Sequence, residues 1–183
     1  MAGILSSLQG AVGQGVLWGI MVLGVYITFR LMDIADLTVD GSFALGGSVC
    51  AALVAGKGMN PVLALVICLA AGMAAGAVTG ILHTVFEIPA ILAGILTQIS
   101  LWSINLKVMG KSNMNLGKAE TPISWLKEGF GLTQNQAMII TGLAVTILVI
   151  VFLYWFFGTE LGSAMRATGN NEDMIRALGG NTN

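Results

Sequence analysis

The sequence has few charged residues. Only 9% of its 183 residues are Asp, Glu, Lys or Arg, and between positions 41 and 106 the full charges are Lys57 and Glu87. Soluble domains carry charge on about a quarter of their residues, so this scarcity excludes an ordinary soluble domain. The net charge is −1 and the sequence has no cluster of Lys or Arg. Binding to nucleic acid is therefore excluded too, because phosphate backbones require such clusters.

Catalytic and metal-binding motifs are also missing. The sequence has no H-E-x-x-H, C-x-x-C or G-x-S-x-G segment. Gly110-Lys111-Ser112 lacks the glycine that a phosphate-binding loop needs five positions earlier, where Asn105 stands. Cys50 and Cys68 lie in apolar runs and are predicted to be buried side chains, and a lone His83 predicts no metal site. We therefore expect no enzyme, no bound cofactor and no ATP hydrolysis on this chain.

Long apolar runs dominate the composition. Hydrophobic residues make up 56% of the chain, and the mean hydropathy is +0.87. About 20 apolar residues are needed to cross a membrane, and we predict spans at residues 11–31, 61–82, 89–106 and 137–157. The run at 42–56 is short for a span, so we predict a broken or re-entrant segment there. The predicted fold class is an all-α, polytopic transmembrane bundle.

The remaining segments flank these spans. Residues 1–10 carry no Lys or Arg and no cleavage-type ending, so we expect a retained N-terminus without a signal peptide. Residues 107–136 form a polar loop with four lysines, which favours the cytoplasm for this loop. One predicted span separates this loop from the tail at 159–183, which we also place in the cytoplasm. The two placements conflict, because the two ends of a single span lie on opposite membrane faces. We give the tail priority because its helical pattern is specific, and we attribute the conflict to the short segment at 42–56.

Three acids follow the first span. Asp33, Asp36 and Asp40 occur within eight positions, and acids at membrane depth are candidates for a functional site. A solvated loop at the membrane surface would explain them as well. One of Thr38, Asp40 and Ser42 is predicted to begin the following helix, because all three are capping residue types.

Amides and an aromatic residue share one face of the span at 89–106. Gln98, Trp102 and Asn105 follow the i, i+4, i+7 spacing. Such residues in hydrocarbon need partners, either a neighbouring helix or a solute. The candidate residues for a solute path are Asp36, Thr38, Asp40, Ser42, Gln98, Trp102 and Asn105.

A glycine stripe marks the span at 61–82. Gly72, Gly76 and Gly80 are four residues apart, which places them on one helical face. Small residues on one face allow another backbone to approach closely. We predict a helix-packing surface there.

The tail is predicted to form two short amphipathic helices that meet at a corner. Leu161 and Met165 share a face of the first helix, and Met174 and Leu178 repeat the spacing in the second. Gly169-Asn170 is predicted to break the helix between them. We expect a partner outside the bilayer to bind this corner.

The second tail helix carries the usual end signals. Asn170 or Asn171 can cap its first turn, where the helix dipole also favours the acid Glu172. Arg176 lies near its end, and Gly179-Gly180 is predicted to stop it.

Three stretches together resemble a known family. Asp36-Leu37-Thr38-Val39-Asp40-Gly41-Ser42 resembles the segment after the first span of ribose-type permeases of bacterial ATP-binding-cassette importers. Gly76-Ala77-Val78-Thr79-Gly80-Ile81-Leu82, followed by Ile88-Pro89-Ala90-Ile91, resembles their glycine-rich helix and Ile-Pro turn. The tail from Leu161 onward resembles their cytoplasmic coupling loop. The similarity extends over most of the chain. The family includes branched-chain amino-acid and ribose permeases, and the chain most resembles its amino-acid-type members.

The resemblance implies a multi-pass subunit of the bacterial plasma membrane. Two such subunits would form a homo- or heterodimer, bind two cytoplasmic ATPases that hold ATP and Mg²⁺, and receive solute from an extracytoplasmic binding protein. Family members continue beyond the coupling loop, so we expect this chain to be partial. By the same resemblance, the residues that contact the ATPase are Leu161, Gly162, Met165, Arg166, Gly169, Asn170, Asn171, Glu172, Met174, Leu178 and Gly179.

The leading hypothesis is an importer permease that moves a small polar solute, with an amino acid favoured, by alternating access. An ion-coupled secondary carrier is the first alternative, in which Asp33, Asp36 and Asp40 would bind the coupling cation. A non-transporting membrane scaffold assembled through the glycine stripe is the second.

Overall fold

The computed structural model describes residues 2–116 and 121–179. Every regular element in these ranges is helical, which confirms the all-α class. Five of the helices are long and apolar enough to cross a membrane. The elements are α1 (Ala2–Tyr26), which continues as a π-helical segment (Ile27–Leu31), α2 (Thr38–Ala51), which also continues as a π-helical segment (Ala52–Gly56), α3 (Pro61–Thr84), α4 (Ala90–Met109), α5 (Pro122–Phe130), α6 (Gln134–Phe157), α7 (Glu160–Asn170) and α8 (Glu172–Ala177).

The chain divides into two compact units. One consists of Met1–Ile34 and Leu126–Asn183, and we call it the α1–α6 unit. The other consists of Ala35–Trp125 and contains α2, α3 and α4, and we call it the α2–α4 unit.

Helix α2 begins at Thr38, the first of the three residues that the sequence offered as its start, and therefore before the run predicted at 42–56. With its π-helical end it reaches Gly56. The resulting 19 residues have a mean hydropathy of 1.4, which meets the length and composition of a span. The run was expected to be short because it was counted from residue 42, which leaves out the first turn of α2. Its length therefore no longer favours a re-entrant segment.

In the α2–α4 unit, α2 packs against both α3 and α4. Leu45, Ala75 and Leu101 form the centre of this packing, one from each helix. A Cβ added at Gly41 of α2 would lie 3.2 Å from the Cα atom of Gln98 on α4. In a membrane, water does not drive helices together, so their association depends on close packing. Glycine and alanine at such positions allow that close packing.

In the α1–α6 unit, α1 and α6 lie side by side and point in the same direction. The Asn135 amide donates to the Ser6 carbonyl at 2.8 Å, near the start of both helices. Further along, a Cβ added at Gly142 would lie 3.1 Å from the Val16 side chain. Because the paired positions advance together along both helices, the two helices are parallel.

The glycine stripe of α3 faces open space. A Cβ added at Gly72, Gly76 or Gly80 would meet no atom within 4 Å among the residues that the structure describes. The close helix contact that the stripe predicted is therefore absent within this part of the chain.

Candidate functional site

The tail forms the two short helices that its pattern predicted, but the corner lies one residue later. Gly169 does not break the helix, because α7 continues through Gly169 to Asn170. The turn is made by Asn171, whose backbone is extended with φ −159° and ψ 96°. The Asn171 side chain accepts a hydrogen bond from the Met174 backbone N–H at 2.9 Å, which caps α8.

Two glycines bring α7 into backbone contact with the ends of two spans. A Cβ added at Gly162 would lie 2.4 Å from the Phe156 carbonyl oxygen at the end of α6. A Cβ added at Gly169 would lie 2.2 Å from the Leu31 carbonyl oxygen and 2.7 Å from the Met32 Cα atom. Seven residues make about two helical turns, so both glycines lie on one face of α7. That face packs directly against backbone.

Hydrogen bonds also fix the start of α7 to the end of α6. Thr159 caps α7 by accepting from the Gly162 N–H at 3.3 Å, and its hydroxyl donates to the Phe156 carbonyl at 2.6 Å. The Arg166 guanidinium donates to the Phe157 carbonyl at 2.8 Å. The last carbonyls of a helix lack partners within the helix, and these side chains supply them.

The tail presents apolar side chains on its outer surface. Leu161, Met174 and Leu178 are 72%, 51% and 76% exposed, whereas Met165 is half-buried. Glu172 forms an ion pair with Arg176 on α8, and Gly179 follows with a positive φ of 83°. Exposed apolar groups rimmed by polar ones are typical of surfaces that bind another protein.

Three threonine hydroxyls form a buried chain at the centre of the α2–α4 unit. Thr38 lies 2.9 Å from Thr79, and Thr79 donates to Thr97 at 3.0 Å. Thr97 in turn donates to the Ala93 carbonyl at 3.0 Å. Each hydroxyl has one proton to donate. When Thr38 donates to Thr79, every hydroxyl in the chain donates one hydrogen bond. The sequence had placed Thr38 in a solute path and had not singled out Thr79.

Replacing Thr79 by valine should lower the melting temperature of the protein in detergent. Valine keeps the shape but removes the central hydroxyl, which leaves the buried Thr38 hydroxyl without its acceptor. The expected cost is about 1 to 2 kcal/mol. Thr84→Val on the same helix is the matched control, because the Thr84 hydroxyl bonds only to the Gly80 carbonyl of its own helix. Equal melting temperatures for the two variants would contradict this interpretation.

The other candidate path residues mainly join helices. Asp40 of α2 accepts from the Gln98 amide of α4 at 3.0 Å, and Ser48 of α2 donates to Asn105 of α4 at 3.1 Å. Trp102 shares the predicted face but is 71% exposed. The amides on this face of α4 thus bind a neighbouring helix, which was one of the two outcomes expected of them.

The two remaining path candidates bond locally. The Asp36 carboxylate accepts from the Thr38 backbone N–H at 2.8 Å, which satisfies a free amide at the start of α2. Ser42 donates to the Val39 carbonyl one turn earlier, at 3.0 Å.

The three acids after the first span do not converge. Asp36 and Asp40 have the different partners just described, and Asp33 is exposed with a positive φ of 53°. Among the described residues no three His, Cys, Asp or Glu side chains are grouped as a metal site would require. The three acids of the predicted cation site are therefore not brought together in the part of the chain that the structure describes.

Gly94 was missed by the sequence interpretation. A Cβ added there would lie 2.9 Å from the Leu37 N atom and 3.2 Å from an Asp36 carboxylate oxygen. The first turns of α4 therefore touch the start of α2 closely. The signal available in the sequence was a glycine in an apolar span one turn before Thr97, which could have indicated close packing at Gly94.

Comparison with known proteins agrees with the resemblance seen in the sequence. The family described as branched-chain amino acid transport system permease component matches residues 7–183. The chain is 38% identical to a tyrosine transport system permease protein of Clostridioides difficile (strain R20291), over 98% of this chain and 56% of that protein. It is 31% identical to a ribose import permease protein of Escherichia coli (strain K12), over 90% of this chain and 50% of that protein.

The chain thus spans about half the length of the curated relatives that it matches. No solved structure gives a significant match. The family predicted from the sequence is confirmed by the extent of the match along the chain.

Proposed function

We propose that this chain, which belongs to the family of branched-chain amino acid transport system permease components, is the membrane subunit of an ATP-binding-cassette importer. Its long apolar helices make it a multi-pass protein of the bacterial plasma membrane. The solute proposed is an amino acid, moved by alternating access. Support comes from the family description and from the similarity to a tyrosine permease, which exceeds the similarity to a ribose permease.

The observation that carries the proposal is the packing of α7. Gly162 and Gly169 bring this helix against the ends of α6 and α1 with no side chain between the backbones. A displacement of α7 would therefore reach two spans with little loss, because close-packed backbone transmits strain. This is the mechanical requirement for a helix that couples ATP-driven motion to a membrane path.

The proposed ATPase partner binds the exposed apolar surface of α7 and α8. Leu161, Met174 and Leu178 would enter a groove of that partner, as amphipathic helices do in other complexes. ATP and Mg²⁺ would bind the partner and not this chain. A solute-binding protein would deliver the solute at the opposite membrane face.

A second permease copy is proposed to pack on the glycine stripe of α3. The open space at Gly72, Gly76 and Gly80 leaves this face available for another backbone. Lipid would cover the remaining apolar surface of the spans.

Leu178→Glu should strongly weaken binding of the ATPase. A carboxylate at an apolar contact loses its hydration without gaining a partner, and removal of a central apolar contact costs about tenfold or more in affinity. The full-length permease, expressed from its complete gene, is co-expressed with the ABC ATPase whose gene lies nearest to it. The measurement is the amount of ATPase that remains on the tagged permease after purification.

Phe130→Glu is the matched control for Leu178→Glu. Phe130 is 77% exposed, nearly the same fraction as Leu178, but it belongs to the segment before α6, so one span separates it from the tail. Retention should be unchanged in this control. Equal loss in both variants, or retention that neither variant changes, would contradict a coupling role for the tail.

The two alternative functions lack a supporting observation. The carrier needs its three acids around one cation, whereas Asp36 and Asp40 are directed to separate partners. The scaffold accounts for the glycine stripe but not for the close packing of α7 against two spans.

A further inference from the structure

A cleft lies between α7 and the π-helical end of α1. Its volume is about 410 Å³, and its walls are formed by Arg30, Leu31, Ser163, Arg166, Ala167, Gly169 and Asn170. Two of these residues are arginines and none is acidic. The cleft is therefore a concave surface with a local positive charge.

Neither arginine of the cleft forms an ion pair with another residue that the structure describes. Within residues 2–116 and 121–179, Arg176 is the arginine that forms an ion pair. Its partner is Glu172, and neither residue lines the cleft. Arg166 donates one hydrogen bond to the neutral Phe157 carbonyl. Arginine presents several donors in a planar fork, which matches the oxygens of a phosphate group.

The cleft lies beside the ends of two candidate membrane spans. The candidate spans on its two sides end at Leu31 and Phe157, so the arginines are at or just beyond the end of the hydrocarbon-crossing segments. Exposed aromatic residues precede both ends, with Tyr26 on α1 and Trp155 on α6. Aromatic residues of this kind are enriched at the boundary between hydrocarbon and headgroups. Basic pockets at such positions bind anionic headgroups.

We propose that this cleft binds a phosphate group, which an anionic phospholipid headgroup supplies in the membrane. A volume of about 410 Å³ lies in the range of small-molecule sites and exceeds what one partner side chain would fill. Arg30 and Arg166 would each contact the phosphate oxygens, and Ser163 and Asn170 would add neutral hydrogen bonds. Binding would join the end of α1 to α7 through the ligand, and it does not depend on the proposed transport function.

The test measures lipid binding by the purified permease. The protein in a neutral detergent is given dioleoyl phosphatidylglycerol or dioleoyl phosphatidylcholine, and bound lipid is counted by native mass spectrometry. We expect phosphatidylglycerol to be retained in preference to phosphatidylcholine. Arg30→Gln and Arg166→Gln should each weaken this retention about five- to tenfold, and the double variant should lose the preference.

Arg176→Gln is the matched control. Arg176 is on the same tail but is paired with Glu172 outside the cleft, so the preference should survive its replacement. Arg30 is exposed, so Arg30→Gln should melt in phosphatidylcholine at the wild-type temperature. Arg166→Gln also loses the bond to the Phe157 carbonyl, so its lipid preference is compared with that of Arg30→Gln. A second arm adds inorganic phosphate without lipid. If phosphate alone stabilises the protein and both arginines are required, the cleft binds phosphate, and its ligand is a soluble phosphate rather than a lipid headgroup.

Three results would overturn the proposal. Equal retention of both lipids together with no effect of phosphate would show that the cleft binds no phosphate. An equal loss in Arg176→Gln would show an effect of net charge alone. A role for the arginines that appears only when the ATPase is present would assign the cleft to a carboxylate of that protein.

Discussion

Gly169→Ala is expected to release the tail from the end of α1. The new Cβ would lie 2.2 Å from the Leu31 carbonyl oxygen and 2.7 Å from the Met32 Cα atom. Both are backbone atoms, which cannot move aside as a flexible side chain can. Overpacking of this kind costs about 1 to 3 kcal/mol. The expected response is for the last turn of α7 to move away from Leu31, because the hydrogen bonds that fix this helix to α6 come from Thr159 and Arg166, before Gly169.

Limited trypsin digestion measures this release. Cleavage after Arg166 requires α7 to open, and the rate follows the population of the open form when opening is fast. The expected cost raises that rate about five- to 150-fold. Gly129→Ala is the control, because Gly129 is also helical and a Cβ there meets no atom within 4 Å. If cleavage after Arg166 were no faster in Gly169→Ala than in Gly129→Ala, the packing described for α7 would be wrong.

Gly94→Ala is expected to separate α4 from the start of α2. Its Cβ would meet the Leu37 N atom at 2.9 Å and the Asp36 carboxylate at 3.2 Å. The Asp36 carboxylate also accepts from the Thr38 N–H. The substitution therefore adds the loss of a capping bond to the overpacking, at a combined cost of about 2 to 4 kcal/mol. The chain of threonine hydroxyls begins at the same place and should weaken with it.

The two cysteines of the sequence provide the measurement. Cys50 on α2 and Cys68 on α3 are free and half-buried, and both belong to the α2–α4 unit. Gly94→Ala should increase their rate of labelling by a maleimide, since labelling requires α2 and α3 to open. Gly47→Ala on α2 should leave the rate unchanged, because a Cβ at Gly47 meets no atom within 4 Å among the described residues. Labelling at the same rate in both variants would disprove close contact between α4 and the start of α2.

The tail shows how far a local pattern can be interpreted. The i,i+4 pairs and the end signals predicted two short helices, and Asn171 is indeed the cap of the second. Gly169 was misjudged because glycine is ambiguous: it allows turns, and it also allows close packing inside a helix. The spacing of seven residues from Gly162 to Gly169 was visible in the sequence and is the signal of a shared helical face.

The α2–α4 unit shows what the sequence could not supply. A buried threonine or amide in a span must have a partner, so the need for hydrogen bonds at Thr38, Gln98 and Asn105 was predictable. Which residues would meet was not, because Thr38 and Thr79 are 41 positions apart. The packing of three helices decides such pairs. For the same reason Arg30 and Arg166 could not be placed in one cleft from their positions alone.

The parallel arrangement of α1 and α6 also constrains how the chain threads the bilayer. Each crossing reverses direction, so two spans that point the same way are separated by an odd number of crossings. Between α1 and α6 the candidate spans are α2, α3 and α4, while α5 has only nine residues. A re-entrant α2 would leave two crossings and would turn α6 over. From this parity we expect α2 to cross completely, and we expect the tail on the membrane face where α1 ends.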